Sequence, residues 1–114
     1  MSYNKRNKYS AVKVKDDGIT FDSKLEHKRY RELKLLRSAG KIRNLRVHVR
    51  HELDTPSGPI GKYEVDFQYE EPACKGSAWN EVFEDCKGVM TPLSKWKIKH
   101  FESQYFCIVN IIRK

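Results

Sequence analysis

The change of hydrophobic period at Gly40 constrains this chain more than any other feature of its sequence. Upstream, Leu25, Leu33, Leu36 and Ala39, with Phe21 just before them, fall on one side at helical spacing. Lys24, Lys28, Arg31 and Lys34 mostly occupy the remaining surface. The spacing predicts a helix from about Asp22 to Ala39, closed by Gly40 at the usual C-terminal glycine position. Downstream the period drops to two. Ile42, Leu45, Val47 and Val49 suggest a strand reaching about Leu53, and the turn-rich stretch from Asp54 to Pro59 reads as a loop. Tyr63, Val65, Phe67 and Tyr69 alternate with Lys62, Glu64, Asp66 and Gln68, the pattern of a half-buried strand. A second loop, Glu71 to Ser77, leads to a third strand from about Trp79 to Lys87, ended by Gly88. Thr91 as N-cap and Pro92 at the first helical position open a second helix to about Ser103. Tyr105 to Ile112 is a nearly continuous apolar run, expected to be a buried strand. The order is α-β-β-β-α-β, with residues 1–10 as a flexible basic arm and 11–114 as one domain.

A chain of 114 residues can bury one core without disulfides or metals. Its formal charge of +8 suggests a polyanionic partner, nucleic acid or an anionic membrane surface. The distribution says more than the total. Residues 1–50 hold 15 Lys/Arg against 5 Asp/Glu, residues 51–90 hold 3 against 9, and residues 91–114 hold 5 against 1. An acidic middle between basic ends could set metal-binding carboxylates among cations for a phosphate backbone; ordinary solvated surface would look the same. Cys74, Cys86 and Cys107 are odd in number and form no CxxC pair, which argues against a disulfide framework or a zinc knuckle. No apolar stretch is long enough to span a membrane and the basic start lacks a signal-peptide core, so an intracellular, cytoplasmic and soluble protein is expected.

The candidate chemistry begins on the third strand. Residues two apart share a face, so Asp85 and Lys87 project together while Glu84 and Cys86 point the other way. Such a carboxylate and ammonium can hold a metal and a water together, or can be a plain ion pair. Asp66, on the preceding strand, comes close to Asp85 if the two strands form an antiparallel hairpin. Two adjacent carboxylates repel unless a proton or cation intervenes, and oxygen ligands of this kind suit Mg²⁺ or Mn²⁺. Glu26 sits at the margin of the helix's buried stripe and can reach inward. It can equally close a Ser23-x-x-Glu26 capping box, and spacing leaves both roles open. His27, His48, His51 and His100 lack ligand spacing, which argues against HNH and zinc sites; no nucleotide-binding P-loop is present. Trp79 and Trp96 read as packing residues.

Taken together, the helix glutamate, strand aspartate, D-x-K strand and basic helix resemble the PD-(D/E)XK nucleases. The segments Gly18–Glu26, Tyr63–Phe67 and Glu84–Gly88 are similar to those of a phage-borne endonuclease family associated with Holliday junction resolution. The resemblance runs from about Tyr9 to the C-terminus, with Val65 where the motif's name has proline. It implies an α/β fold with a restriction-endonuclease-like αβββαβ core, a mixed central sheet flanked by helices. It implies Mg²⁺, with Mn²⁺ as substitute, bound by Asp66, Asp85, the backbone carbonyl of Cys86 and Glu26, with Lys87 orienting or activating the attacking water. The substrate would be DNA, in particular a four-way junction, cut by a homodimer in the host-cell cytoplasm without a nucleotide cofactor. Less selective nicking of branched DNA and a non-catalytic DNA-binding module are the rival readings. Lys5, Arg6, Lys8, Lys34, Arg43, Arg46, Lys95, Lys97 and Lys99 are the candidate phosphate contacts.

Overall fold

The computed structural model describes residues 13–113. It opens with a hairpin of two short strands, β1 (Val14–Asp16) and β2 (Ile19–Phe21), paired antiparallel. Asp17 and Gly18 form its turn with φ of +53° and +75°. An Asp-Gly pair favours this two-residue turn, because both central residues need positive φ. The hairpin was not expected from periodicity, since three-residue strands are too short to show any.

Helix α1 (Lys24–Ser38) follows, with Ser23 as N-cap, and Gly40 beyond its end takes φ +73°. Strands β3 (Arg43–Thr55), β4 (Gly58–Pro72) and β5 (Trp79–Cys86) form an antiparallel meander. The first two pair as far as Thr55 opposite Gly58, so the stretch expected as a loop from Asp54 to Pro59 is mostly hairpin. Helix α2 (Pro92–Tyr105), capped by Thr91, leads to β6 (Val109–Ile112), which pairs parallel to β5. The sheet order is β3-β4-β5-β6, a mixed four-stranded sheet with two helices, and the α-β-β-β-α-β order holds from α1 onward.

Each helix covers its own hydrophobic cluster. Tyr30 and Leu33 of α1 bury against Phe21, Ile42, Phe67, Tyr69 and Val82; Ile98 and Phe101 of α2 bury against Leu53, Tyr63, Val65, Phe83 and Val109. Val82 and Phe83 are neighbours on β5, so the clusters occupy opposite faces of the sheet.

Strict alternation would place Tyr63, Val65, Phe67 and Tyr69 on one face. Instead Tyr63 and Val65 pack with α2, and Phe67 and Tyr69 with α1. The neighbouring strand does the same: Val47, opposite Phe67, packs with α1, and Val49, opposite Val65, packs with α2. Both strands change face between these pairs, where His48 lies opposite Asp66 in register. His48 has φ +54°, a left-handed backbone inside a strand, which breaks the pleat there.

The last strand also departs from expectation. Only Val109 of β6 is buried, and Ile108 and Phe106 just before it are 76% and 92% exposed. A strand at the sheet edge has one free flank, so its apolar run does not imply burial on both faces. Trp96, expected to pack, is 59% exposed, whereas Trp79 lies under the Arg43 guanidinium at 4.2 Å.

Candidate metal centre

The break in the β3 and β4 ladders is where the acidic residues gather. Glu26 enters from the first turn of α1. Ser23 Oγ accepts from the Glu26 N–H at 3.1 Å, the backbone half of a capping box. The Glu26 carboxylate is buried and takes His48 Nε2 as a side-chain partner, with 2.5 Å between Nε2 and Oε1. Burial raises its pKa, and the hydrogen bond and charge of His48 partly oppose that rise.

Asp66 and Asp85 arrive on adjacent strands. Phe67 pairs with Glu84, so the next positions along the ladder bring Asp66 beside Asp85. The Cys86 N–H donates to Asp66 Oδ2 at 2.8 Å. Cys86 thus touches the cluster through its N–H, and burial first, then the surrounding carboxylates, hold its thiol well above its ordinary pKa. Desolvation holds the Asp66 carboxyl far above the usual carboxylate range, helped by Asp85 beside it and by Glu26. Asp85 is 2% exposed; Tyr63 Oη donates to its Oδ2 at 2.6 Å, and Lys87 Nζ lies 3.4 Å from the same oxygen. Asp85 and Lys87 thus project together, as their spacing suggests.

Glu84 turns the other way, also as expected. It is buried on the α1 side, receives Arg29 through two bonds of 2.7 Å, and accepts from Tyr69 Oη.

Donor atoms of Glu26, His48 and Asp66 all lie within 4.8 Å of one another. The chemistry of this set fits a divalent cation. Two carboxylates whose charged forms are disfavoured by burial are brought to one point, an aspartate adjoins them, and a cation would relieve both strains. His48 was not singled out from sequence because ligand spacing along the chain was the criterion. Its partners stand 22 positions before it and 18 after it, and only the hairpin register joins them. Tyr63 was missed as well, reading simply as a core aromatic. An open cleft of about 570 Å³, bordered by Gly18, Thr20, Arg37, Leu45 and Val47, meets the cluster at His48 rather than at the aspartates.

The cations divide into two groups. Lys34 bonds Asp17 at 2.8 Å, Arg43 bonds Glu70 at 3.0 Å, and Arg46 approaches Glu81 at 3.3 Å. Lys95, Lys97 and Lys99 have no carboxylate within 4.0 Å among the described residues. Lys5, Arg6 and Lys8 lie outside the described residues. No helix among those residues is long and apolar enough to cross a membrane.

A mixed-sheet α/β domain with carboxylates and a histidine converging from both sides of a broken ladder is thus what sequence and structure define. The chain belongs to the family described as protein of unknown function DUF1064, whose sequence model matches residues 6–113. No curated protein and no solved structure matches it.

Proposed function

We propose that this protein is a metal-dependent endonuclease of the PD-(D/E)XK type, acting on branched DNA and resembling Holliday junction resolvases. The observation that carries this reading is the meeting of Glu26, Asp66, Asp85 and Lys87 from three separate elements, with Lys87 3.4 Å from Asp85. The antiparallel meander, the parallel β6 and a helix on each face suit a restriction-endonuclease-like core. The basic charge outside the acidic middle suits a phosphate backbone.

In this reading Asp66, Asp85 and Glu26 hold Mg²⁺ or Mn²⁺. The ion, when bound, supplies Lewis acidity toward a phosphodiester and lowers the pKa of water. Lys87 orients the attacking water and offsets negative charge on the scissile phosphate. Tyr63 fixes the Asp85 carboxylate through a 2.6 Å bond, and the Cys86 N–H does the same for Asp66 at 2.8 Å. Paired nicks across a junction need two sites related by symmetry, so the active species would be a homodimer.

The test is cleavage of a synthetic four-way junction beside linear duplex and single strands, with Mg²⁺ and with EDTA. Symmetric, metal-dependent cuts confined to the junction, lost in Lys87→Ala with binding retained, are the expected result. Equal cutting of plain duplex would replace junction resolution with general endonuclease activity. Tight binding without cleavage in Mg²⁺ or Mn²⁺ would leave a DNA-binding module in place of an enzyme.

A further inference from the structure

The reading above gives His48 no role, yet its backbone takes a left-handed conformation within β3. A non-glycine residue at φ +54° within a strand is in a sparsely populated, strained conformation. That conformation sits at the point where β3 and β4 exchange faces, and the ring it carries lies against Glu26, with Asp66 within ligand range. A histidine needed only to satisfy a buried glutamate would not require a second carboxylate beside it.

We infer that His48 is a direct ligand of the bound ion, with Glu26 and Asp66, and that the site therefore prefers a first-row transition ion such as Mn²⁺ to Mg²⁺. The inference rests on the metal-dependent reading of the same cluster. Their donor atoms span at most 4.8 Å, a gap that an ion with bonds of about 2.1 Å closes with small side-chain rotations. The donor chemistry sets the preference. Mg²⁺ favours oxygen ligands and retains waters, whereas an imidazole nitrogen adds affinity for transition ions. Asp85, beside Asp66, keeps the place in the site given to it above, and Lys87, 3.4 Å from Asp85, is left to face the phosphate and the water.

The other histidines are occupied elsewhere. His27 bonds Asp16, His51 bonds Gln68, and His100 bonds the Asp54 carbonyl. A nitrogen signal from the metal can therefore be assigned.

The deciding measurement is pulsed electron paramagnetic resonance of the full chain loaded with Mn²⁺ and no DNA, natural and with [¹⁵N]histidine. The expected spectrum shows directly coupled ¹⁴N that changes to ¹⁵N on labelling. Calorimetric titration of the same protein should give Mn²⁺ binding at least about tenfold tighter than Mg²⁺, and His48→Gln should remove most of that difference. Bound Mn²⁺ without histidine nitrogen coupling in the natural protein would overturn the inference, whether or not His48→Gln folds. So would an unchanged Mn²⁺ to Mg²⁺ ratio in a folded His48→Gln. Either result beside metal-dependent junction cleavage would leave the nuclease reading standing. A failure to bind either ion, with no cleavage, would remove both.

Discussion

Glu84 and Asp85 are neighbours on β5, 1% and 2% exposed, and they live in opposite worlds. Glu84 faces α1, where Arg29 grips both carboxylate oxygens at 2.7 Å and Tyr69 donates a third bond. Its charge is neutralised inside the fold. Asp85 faces the other side, has Tyr63 and a looser Lys87, and must share its space with Asp66. One carboxylate is paired with a guanidinium inside the fold; the other keeps a second carboxylate beside it. Burial alone does not distinguish a structural acid from a functional one. The charge around each one sets the two apart here: a guanidinium beside Glu84, a second carboxylate beside Asp85.

The sharpest way to break this contrast is to neutralise each acid in turn. Asp85→Asn should lower metal-dependent cleavage by on the order of 10³-fold, the scale of losing one group that stabilises developing charge. Its melting temperature should stay close to that of the parent. Glu84→Gln should do the reverse, retaining cleavage when folded while lowering the melting temperature. Both are read by initial cleavage rates and thermal denaturation on the same preparations. If Glu84→Gln also abolished cleavage in a fully folded protein, the division of labour between the two faces would be wrong.

Removing the partner instead of the acid should be costly only on the α1 side. Arg29→Ala would leave Glu84 buried with Tyr69 alone, and breaking a buried pair by deleting one partner costs about 3 kcal/mol or more. For a domain of this size that lowers the melting temperature by roughly 10 °C or more. Chemical denaturation gives the direct measure, and a loss below about 1 kcal/mol would mean that Arg29 is only a surface decoration.

How far the sequence reveals this arrangement depends on the distance over which each signal acts. Helix α1 and the β4 and β5 strands were legible because periodicity and caps are local: Ser23, Gly40, Thr91 and Pro92 all take the places their chemistry suits. The opposite orientations of Glu84 and Asp85 followed from the two-residue period. The β1–β2 hairpin escaped because each strand has three residues, although Asp17-Gly18 was a usable turn signal. His48 escaped for a deeper reason. Its place depends on the β3–β4 register and on a left-handed backbone at one residue, and neither leaves a mark in local composition. The exposure of Ile108 was hidden likewise, because an apolar run does not say where within it the strand begins, and β6 starts one residue later at Val109.

The Asp66 and Asp85 pair should also show in the pH dependence of stability without metal. The Asp66 pKa is pushed up to about 9, against an ordinary value of 3.8, by burial first and by Asp85 and Glu26 beside it. The folded chain holds this proton more tightly than the unfolded chain. The resulting stability is complete below pH 4 and is lost as pH rises toward 9. Glu26, also raised, acts in the same sense. Metal-free protein should therefore melt lower at pH 8 than at pH 5.5. Asp66→Asn, which can still accept from the Cys86 N–H, should flatten that slope and raise the pH 8 melting temperature by roughly 5 °C. Thermal scans in EDTA across this range test it, and a slope identical in the two proteins would place the effect on other groups.

The cations repeat the comparison at the surface, with the smallest effects. Arg43 is held by Glu70 and stacked on Trp79, paired in its way as Glu84 is. Lys95 and Lys99 are exposed on α2 with no carboxylate within reach among the described residues, and Lys97 beside them is half-buried and equally unpaired. A cation already paired releases little counterion when DNA arrives, because its field is cancelled, whereas a free lysine exchanges a counterion for a phosphate. Each of Lys95→Ala, Lys97→Ala and Lys99→Ala should therefore weaken DNA binding by less than about tenfold. Each should also reduce the slope of log affinity against log salt by about 0.9 if it meets one duplex phosphate. Arg43→Ala should leave that slope unchanged. Fluorescence anisotropy of a labelled junction over a salt series measures both quantities, in EDTA so that cleavage does not intrude. Equal slope losses for Arg43 and the three lysines would mean that the Arg43–Glu70 pair opens on binding, bringing Arg43 back among the phosphate contacts.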